Sequence, residues 1–497
     1  MLMSDTLRGI INTTVGTVVW AWQKRRPERE VSRPGCLRVL RGTFHLLSSC
    51  FAAGAGLAAQ ASPPPTPIAI THVTVVDGTS PSPRLDQTVI VQGNRIAAVG
   101  PAATAPAPPG ALLLDGRGRF LVPGLWDMHV HTAIPGGREV LALYVANGVT
   151  GVRDMAGDWA QITAWRTEIT AGQLLGPRIV AAGPYIEGGD VPIPHLVVRT
   201  AAEARPAVDS LRRLGVDFVK LHSQLPRDVY FASARAAREA GFQVAGHVPR
   251  SITPQEASDS GVSSIEHMLQ VPTPCSPAES LALAPRFPVQ GVLGRCTSGD
   301  VGPLFERLAR NRTWVVPTLV AQYEIAHWPQ RDLPGDAFGI YLPDTLRRYV
   351  AQIFPIVDSV PPDADSVGMA LWEKRVALVG AMHRAGVGIL PGTDAPLRNS
   401  PPGFGLHEEL ATLARAGLSP FEILRTATLE PARFLGLLDS LGSIEPGKVA
   451  DLVLLDANPL ADIRNTRRVA AVIANGRLLD TAARQRVLRD LAASATR

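Results

Sequence analysis

The sequence contains few lysines, few cysteines and few charged residues, and these shortages narrow the classes of protein to which it can belong. Only four of its 497 residues are Lys and only four are Cys, whereas Arg supplies nearly all of the basic side chains. Charged residues make up 19% of the chain and hydrophobic residues 46%, which is typical of a compact folded protein and not of a disordered or fibrous one. A chain of this length has room for a large domain and a smaller one.

The sequence also lacks a segment suited to crossing a membrane. It has no basic region outside its first residues. The apolar segment at 10–22 has about 13 residues, whereas a spanning helix needs about 20. No stable membrane span is therefore expected in the mature chain. The net charge of +5 is accounted for by eight basic and three acidic side chains within residues 1–61. The remainder is formally neutral, so nothing in the charge pattern favours nucleic-acid binding.

The first 61 residues have the pattern of an export signal. Two arginines precede the apolar run Phe44–Ala59, and Ala59-Gln60-Ala61 fits a cleavage site with small residues two positions apart. We therefore predict a leader at 1–61 and an exported chain, periplasmic or secreted, after cleavage near Ala61. Two alternatives remain open: lipidation of Cys50, for which the preceding apolar region is short, and anchoring to a membrane through the N-terminal segment 10–22.

The four cysteines divide between the leader and the body of the chain. Cys36 and Cys50 belong to the leader, and the mature chain keeps Cys275 and Cys296. In an exported protein two such residues are candidates for a disulfide. If the chain is not exported, two unpaired thiols are the alternative.

The two ends of the predicted mature chain carry the same β pattern. Residues 68–122 contain short alternating runs rich in Val, Ile and Thr, and a turn at Gly93-Asn94 separates two of them. A similar pattern follows 450, with a turn at Asn475-Gly476. Neither end has enough strands to be stable alone. We predict one small β-sandwich that is built from both ends of the chain.

The middle of the chain alternates short apolar runs with helical segments. Eight such repeats over about 300 residues predict an α/β fold, a (β/α)8 TIM barrel. The candidate strands are 125–131, 150–154, 178–186, 216–222, 242–247, 263–267, 313–319 and 387–393. The predicted organisation is a leader at 1–61, sandwich strands at 62–122 and 441–485, the barrel at 123–440 and a C-terminal tail at 486–497.

Polar residues with metal-binding side chains close most of the predicted barrel strands. His129 and His131 end the first strand, and residues two apart on a strand point to the same side. Reactive groups of a TIM barrel lie at the C-terminal ends of its strands. We therefore expect one metal centre that contains the residues at the ends of strands one, four, five, six and eight: His129, His131, Lys220, His247, His267 and Asp394.

These residues resemble the amidohydrolase superfamily of metal-dependent hydrolases, and within it the branch of imidazolonepropionase-like proteins and Xaa-Pro dipeptidases. The resemblance spans roughly 68–485 and includes Gly442-Ser-Ile-Glu-Pro-Gly-Lys-Val-Ala-Asp-Leu-Val. In this superfamily the His-x-His pair, two later His and a last-strand Asp bind metal, and a carboxylated Lys of strand four bridges two ions. The resemblance thus implies two divalent ions, most simply Zn²⁺, and a CO2-derived carbamate on Lys220.

Lys220 also supports this interpretation on physical grounds. A strand Lys that points into a barrel would be a costly buried cation, and desolvation would lower its pKa and free the amine to take up CO2. The carbamate has two oxygens and a negative charge, which suits a bridge between two metal ions. The alternative is a salt bridge between Lys220 and a neighbour such as Asp217.

Further residues are candidates for substrate contacts or support. His222 would face the same side as Lys220, His195 lies in a loop after strand three, and Tyr230 resembles a Tyr that orients the substrate carbonyl in dipeptidase relatives. Arg153-Asp154 at the end of strand two would support the first His pair.

The expected reaction is hydrolysis of an amide-type C–N bond, in a dipeptide or an N-acyl amino acid, by a hydroxide that the metal ions share. Asp394 would act as the general base. The alternatives are hydrolysis of a cyclic amide, lactone or phosphotriester on the same site, and, in a different class, a non-catalytic binding scaffold. The expected partner is a small-molecule or peptide substrate, and the sequence leaves open whether the chain forms a homo-oligomer.

Overall fold

A computed structural model describes residues 66–191, 193–276, 296–326, 334–353, 364–397 and 400–495. The predicted leader, with Cys50 and Ala61, lies outside the described residues.

The strands are β1 Ile68–Val75, β2 Arg84–Gln92, β3 Arg95–Pro101, β4 Leu112–Asp115, β5 Phe120–Pro123, β6 Leu125–Val130, β7 Val149–Asp154, β8 Arg178–Ala181, β9 Tyr185–Glu187, β10 His195–Val197, β11 Val219–Leu221, β12 Val244–Gly246, β13 Ser264–Glu266, β14 Thr273–Pro274, β15 Cys296–Thr297, β16 Trp314–Val316, β17 Leu452–Leu455, β18 Val469–Ala474 and β19 Arg477–Leu479.

The described part of the chain contains thirteen α-helices. They are α1 Gly137–Ala146, α2 Trp159–Ala171, α3 Ala204–Leu214, α4 Arg227–Glu239, α5 Pro254–Asp259, α6 Gly302–Asn311, α7 Leu319–Ala326, α8 Asp344–Ile353, α9 Ala364–Arg384, α10 Phe404–Arg415, α11 Pro420–Ala427, α12 Leu429–Phe434 and α13 Thr481–Ala495. Short 3₁₀ helices occupy Ala201–Glu203, Pro334–Tyr341 and Ile463–Arg467. Most of the predicted C-terminal tail thus continues helix α13.

Some helix starts follow directly from local sequence. Thr253 and Glu256 form a capping box at the start of α5, and Ser419 and Glu422 form another at the start of α11. In each, a proline occupies the first turn, where its missing N–H costs nothing. None of the helices in the described part of the chain is both long and apolar enough to cross a membrane.

Both chain ends contribute strands to one β-sheet, whereas the sequence predicted that they would form a β-sandwich. Its hydrogen-bonded order is β19-β18-β17-β5-β1-β2-β3, and β4 also pairs with β1. Strand β17 runs antiparallel to β5 with Val453 opposite Val122, which joins the C-terminal strands to the N-terminal ones. The first half of β1 pairs with β4 and its second half with β5. The eight strands therefore form one connected sheet that divides at β1, and Ile70, Leu121 and Leu454 belong to its own apolar core.

The central strands pair in parallel, as expected for a mixed α/β fold of the TIM-barrel type. One sheet has the order β6-β7-β8, and a second has the order β10-β9-β11-β12-β13-β16. All six side chains of β6 are buried, which is typical of a parallel strand covered on both faces. Five of the six metal-binding candidates, all but Asp394, lie at the C-terminal ends of β6, β12 and β13 or within β11.

The eighth expected strand, 387–393, is not a regular strand. It makes isolated parallel bridges, from Ile389 to Val315 of β16 and from Ala395 to Val130 of β6. Pro391 lacks an N–H for a ladder, yet its carbonyl accepts a hydrogen bond from Met128 N at 2.8 Å. The segment 387–395 therefore lies between β16 and β6, and it carries Asp394 to the end of β6.

The two cysteines of the body of the chain form a disulfide. Cys275 and Cys296 are bonded, with their Cα atoms 5.1 Å apart, and the bond lies beside the short parallel pair β14–β15. The structure thus joins the two candidate cysteines, where the sequence alone left a disulfide and two unpaired thiols both open.

Candidate metal centre

The two histidines at the end of β6 converge on one carboxylate. Nε2 of His129 and Nε2 of His131 each lie 3.3 Å from Oδ1 of Asp394. Their rings are 5.5 Å apart. The strand period of two thus brings both imidazoles to the same side, as the sequence predicts.

Backbone hydrogen bonds hold Asp394 at this position. Asp394 has a φ of 59°, and its N–H donates to the carbonyl of His129 at 2.8 Å. The preceding residue is anchored by Asp127, whose carboxylate accepts hydrogen bonds from Thr393 N at 3.0 Å and Thr393 Oγ1 at 2.7 Å. Burial raises the pKa of Asp127 to about 7. The sequence analysis did not identify Asp127, because its partner, Thr393, is 266 residues away along the chain and no local pattern connects the two.

Two further histidines complete a cluster of imidazoles. The ring of His267 lies 4.4 Å from that of His129 and 4.9 Å from that of His247. Nδ1 of His267 is hydrogen-bonded with Thr318 Oγ1 at 2.7 Å, and Nδ1 of His247 is hydrogen-bonded with Ser223 Oγ at 2.6 Å. Both rings therefore have Nε2 left for the centre.

The electrostatics of the cluster suit metal binding. Burial lowers the pKa of His267 to about 3 and that of His247 well below its usual value, so both rings are neutral and keep a lone pair. Burial raises the pKa of Asp394, but the neighbouring imidazoles of His267, His129 and His131 outweigh this effect and hold the pKa well below the usual range. The result is an ionised carboxylate near the neutral imidazoles of His247 and His267.

Lys220 lines a cavity beside this cluster of imidazoles. Its side chain is 2% exposed, and its Nζ lies 5.7 Å from the centre of the Tyr185 ring. Burial lowers the pKa of Lys220 to about 8, although the charge of Asp394 opposes the shift. Asp217, the alternative partner, instead accepts hydrogen bonds from the Arg166 guanidinium and, at 2.7 Å, from Ala181 N.

The arrangement fits a metal ion. One ligand atom from each of His129, His267 and Asp394 lies within 4.8 Å of the others. In the described part of the chain, Nε2 of His129, Nε2 of His247 and Nδ1 of His131 are buried without a hydrogen-bond partner. Buried polar atoms are rarely left unpaired, and imidazole and carboxylate are the donors that Zn²⁺ prefers.

An ionic network that the sequence analysis did not identify supports His129. Nδ1 of His129 lies 2.7 Å from Oε2 of Glu266, and Arg153 donates to both oxygens of Glu266 at 2.8 and 2.9 Å. Burial raises the pKa of Glu266, but the Arg153 charge and the hydrogen bonds from His129 and Ser264 lower it to about 2 overall. Arg153, expected to support the first His pair, thus reaches it through Glu266.

The cavity beside the cluster has a volume of about 180 Å³. Its wall includes His131, Ile134, Tyr185, Ile193, Lys220, His222, His247, His267, Tyr349, Asp394, Pro396 and Leu397. The wall therefore includes five of the six residues expected to bind metal. The sixth, His129, lies next to Asp394 and His267, which are part of the wall.

His222 is the substrate-contact candidate that lines this cavity. Its ring lies between Tyr185, at 4.6 Å, and His247, at 4.1 Å. Nδ1 of His222 is held at 2.5 Å by Glu187, which is fully buried and also accepts hydrogen bonds from Gly188 N and Gln224 N. Two residues of β9 were missed, because Tyr185 lies inside the run 178–186, which was predicted only as a barrel strand, and Glu187 lies just after it.

The other candidates lie outside the wall of the cavity. His195 stacks on the outer side of the site, with its ring 5.9 Å from that of Tyr185 and its Nδ1–H donating to Ile193 O. Tyr230 is 1% exposed and belongs to the apolar core, where its ring contacts that of Phe231. The tyrosines that reach the cavity are Tyr185 and Tyr349.

Comparisons with known proteins show what this chain is similar to. The model of the amidohydrolase family matches residues 120–479. The chain is 25% identical to a 5-methylthioadenosine/S-adenosylhomocysteine deaminase of Symbiobacterium thermophilum over 74% of this chain and 80% of the relative. It is 26% identical to an imidazolonepropionase of Caulobacter vibrioides over 76% and 89% of the two chains. The structure of a candidate prolidase from Bifidobacterium longum matches 86% of this chain and all of its own with a TM-score of 0.62 and 25% identity.

Proposed function

We propose, on the premise that this chain belongs to the amidohydrolase family, that it is a binuclear metal-dependent hydrolase that cleaves the C–N bond of a dipeptide or an N-acyl amino acid. The observation that carries the proposal is the convergence of His129, His267 and Asp394 within 4.8 Å, beside a cavity that Lys220 lines. The proposal includes closure of the parallel strands into an eight-stranded barrel, with the segment 387–395 as the eighth member.

The residues proposed to hold two divalent ions, Zn²⁺ in the first instance, are His129, His131, Lys220, His247, His267 and Asp394. When bound, such ions polarise a carbonyl and make water more acidic. Lys220 would contribute as a carbamate: its neutral amine attacks CO2, one C–N bond forms and one proton is released to solvent. The lowered pKa of Lys220, about 8, supports this role because the neutral amine is then accessible near neutral pH.

The side chains around the reacting bond have distinct proposed tasks. Asp394 would accept a proton during the attack on the amide carbon and return it to the leaving nitrogen, because its carboxylate lies between two imidazoles at the end of β6. His222, held by Glu187, would orient the substrate in the cavity. Tyr185 supports the ring of His222 and closes that side of the cavity.

The substrate class rests on two further considerations. A cavity of about 180 Å³ suits a small substrate, such as a dipeptide. The solved structure named as a prolidase supports a peptide bond as the target of this chain. The names of the deaminase and imidazolonepropionase relatives instead indicate substrates that contain rings. Hydrolysis of a cyclic amide is therefore the second candidate function.

Metal analysis and a Lys220→Ala variant test the proposal. We expect about two ions per chain in the wild type, hydrolysis of members of a dipeptide and N-acyl amino acid panel, and at least a hundredfold loss of kcat/KM in Lys220→Ala, about 2.7 kcal/mol. Lys374→Ala is the matched control, because Lys374 lies on helix α9, away from the cavity wall.

Each other result contradicts a stated part of the proposal. One ion per chain would favour a mononuclear, deaminase-like centre, and none would favour a binding scaffold. A Lys220→Ala variant that keeps both ions and full activity would remove the carbamate. Activity on cyclic amides alone would replace the proposed substrate class.

A further inference from the structure

A second cavity lies at the opposite ends of the strands from the metal centre. Thr150 stands near the start of β7 and Arg178 at the start of β8, and both line this cavity. The far end of β7 carries Asp154, whose carboxylate accepts hydrogen bonds from the backbone and side chain of Thr132, next to His131. At 3.3 Å per residue, Thr150 and Asp154 are about 13 Å apart along the strand. The second cavity is thus separate from the metal centre.

Polar atoms without partners gather in this cavity. Thr150 is 3% exposed, and its Oγ1 has no hydrogen-bond partner. Nε of Arg166 and Nε of Arg178 are also buried without partners, and both residues line the same cavity. Among the described residues, three more such atoms lie at the metal centre, and those of His195, Ser233 and Arg484 lie elsewhere. Because unpaired buried donors are costly, their clustering indicates that something accepts their hydrogen bonds.

The charges around the cavity favour an anion. Arg166 is neutralised by Asp217, whose carboxylate accepts a hydrogen bond from the Arg166 guanidinium. Arg178 reaches the buried Asp451 only at 3.5 Å, and Arg477 donates to the carbonyls of Ile169 and Thr170 at 3.5 and 3.3 Å. Three guanidinium groups thus face two carboxylates, which leaves one positive charge in excess.

The size and walls of the cavity define the rest of the ligand. Its volume is about 360 Å³, within the range of small-molecule sites. Leu174, Leu175 and Leu478 contribute apolar side chains to its wall. An apolar body with a single negative charge matches this combination better than a highly charged ion does.

We propose that this cavity, which we call the arginine cavity, is a binding site for a small monocarboxylate with an aliphatic body. Arg178 and Arg477 would pair with the carboxylate, Thr150 would donate a hydrogen bond, and the leucines would contact the aliphatic part. The site belongs to the junction between the β-sheet of the chain ends and the parallel strands, and it is independent of the proposed hydrolysis.

Calorimetric titration of the full, metal-loaded chain tests this site. The probes are 3-methylbutanoate, its uncharged amide and inorganic phosphate. We expect 3-methylbutanoate to bind at least about tenfold more tightly than the amide, and Arg178→Gln and Arg477→Gln each to weaken its binding about tenfold. Arg117→Gln is the control, because Arg117 is an exposed residue that pairs with Asp115 outside the cavity.

Two controls separate the arginine cavity from the metal centre and from misfolding. Binding that persists in Asp394→Asn excludes the metal centre as the site that is measured. Thr150→Val has the same shape as the wild-type residue and removes only the hydroxyl donor, so it replaces Arg178→Gln if that variant fails to fold. Absence of saturable binding, equal binding of the amide, stronger binding of phosphate, or binding unchanged in all three cavity variants would overturn the proposal.

Discussion

At the scale of single residues, Glu266 is the most consequential side chain outside the predicted ligand set. It binds Nδ1 of His129 and neutralises the fully buried Arg153. Such partners of a metal ligand set the orientation and basicity of its ring. The distance from Glu266 to His129 along the sequence is 137 residues, so no local pattern could have revealed the pair.

We expect Glu266→Gln to lower both stability and metal affinity. The variant leaves the Arg153 charge buried without a counter-charge, which costs about 3–5 kcal/mol of unfolding free energy. Loss of the anionic acceptor for His129 should reduce metal affinity or kcat/KM about 10–100-fold. Urea unfolding and metal titration measure the two effects. Glu373→Gln, at an exposed pair with Arg415, should change stability by less than about 0.5 kcal/mol; an equal loss in both variants would refute the role of Glu266.

Glu409 makes stability depend on pH. Burial raises its pKa to about 8, against hydrogen bonds from Leu319 N and Val320 N, from an ordinary value of 4.5. The folded chain then holds a proton that the unfolded chain releases, so this contribution is complete below pH 4.5 and disappears as the pH rises through about 8.

We therefore expect the unfolding free energy of the wild type to fall with rising pH in this window more steeply than that of Glu409→Gln. Denaturant unfolding at a series of pH values, with the same metal content throughout, measures the difference. Glu408→Gln, at a half-exposed neighbour that pairs with Arg467, is the matched control and should keep the wild-type slope. Parallel pH profiles for wild type and Glu409→Gln would contradict the assignment.

At the scale of elements, the segment 387–395 decides whether the centre is assembled. The segment carries Asp394 without being a regular strand, and Thr393 fastens it to Asp127 in β6. Thr393 Oγ1 also accepts a hydrogen bond from Ala395 N at 3.1 Å. The hydroxyl therefore secures both the strand and the turn that presents Asp394.

We expect Thr393→Val to destabilise the chain by about 1–3 kcal/mol, because the buried Asp127 loses a donor. The reaction should slow more than substrate binding weakens, since Asp394 loses its position, so kcat falls and KM changes little. Thr393→Ser keeps the hydroxyl and should restore most of both quantities. If Thr393→Ser is as impaired as Thr393→Val, the hydroxyl is not the cause.

At the scale of the whole molecule, the oxidation state of the cysteines bears on whether the predicted leader is used for export. The body of the chain has its two cysteines joined as Cys275–Cys296, and the other two belong to the predicted leader. A structural disulfide favours an oxidising compartment. We therefore propose that the chain is exported and cleaved near Ala61.

We expect the mature protein from fractionated cells to begin near Ser62 and to contain no titratable thiol. N-terminal sequencing and thiol titration of the unfolded, unreduced protein measure both properties. A protein that begins at Cys50 and carries lipid would support the lipidated alternative. A cytoplasmic protein with its full N-terminus and free thiols would contradict export.

The sequence predicted parts of the fold for a different reason than it predicted residues of the site. Apolar periodicity predicted most of the parallel strands and the strands of the chain ends, because each depends on the local order of apolar residues. It did not predict helices α7, α8 and α11–α13, and the predicted strand 178–186 divides into β8 and β9, which belong to different sheets. The eighth strand also differs, because apolar content predicted a strand where proline and isolated bridges shape 387–395. Tyr230 illustrates the other limit: its position after strand four suggested a substrate contact, but the side chain packs into the apolar core.

The order of apolar and polar residues along the chain predicted most of the parallel strands and the strands at both ends, and together with the family resemblance it indicated the six metal-binding candidates. These features depend on periodicity and on where a strand ends, and both can be read over a few neighbouring residues. The pairing of Glu266 with His129 and Arg153, the clamp of Glu187 on His222 and the arginine cavity were decided only by the tertiary structure. Each joins side chains from distant strands, and the charge of a buried group depends on neighbours that only the folded chain supplies.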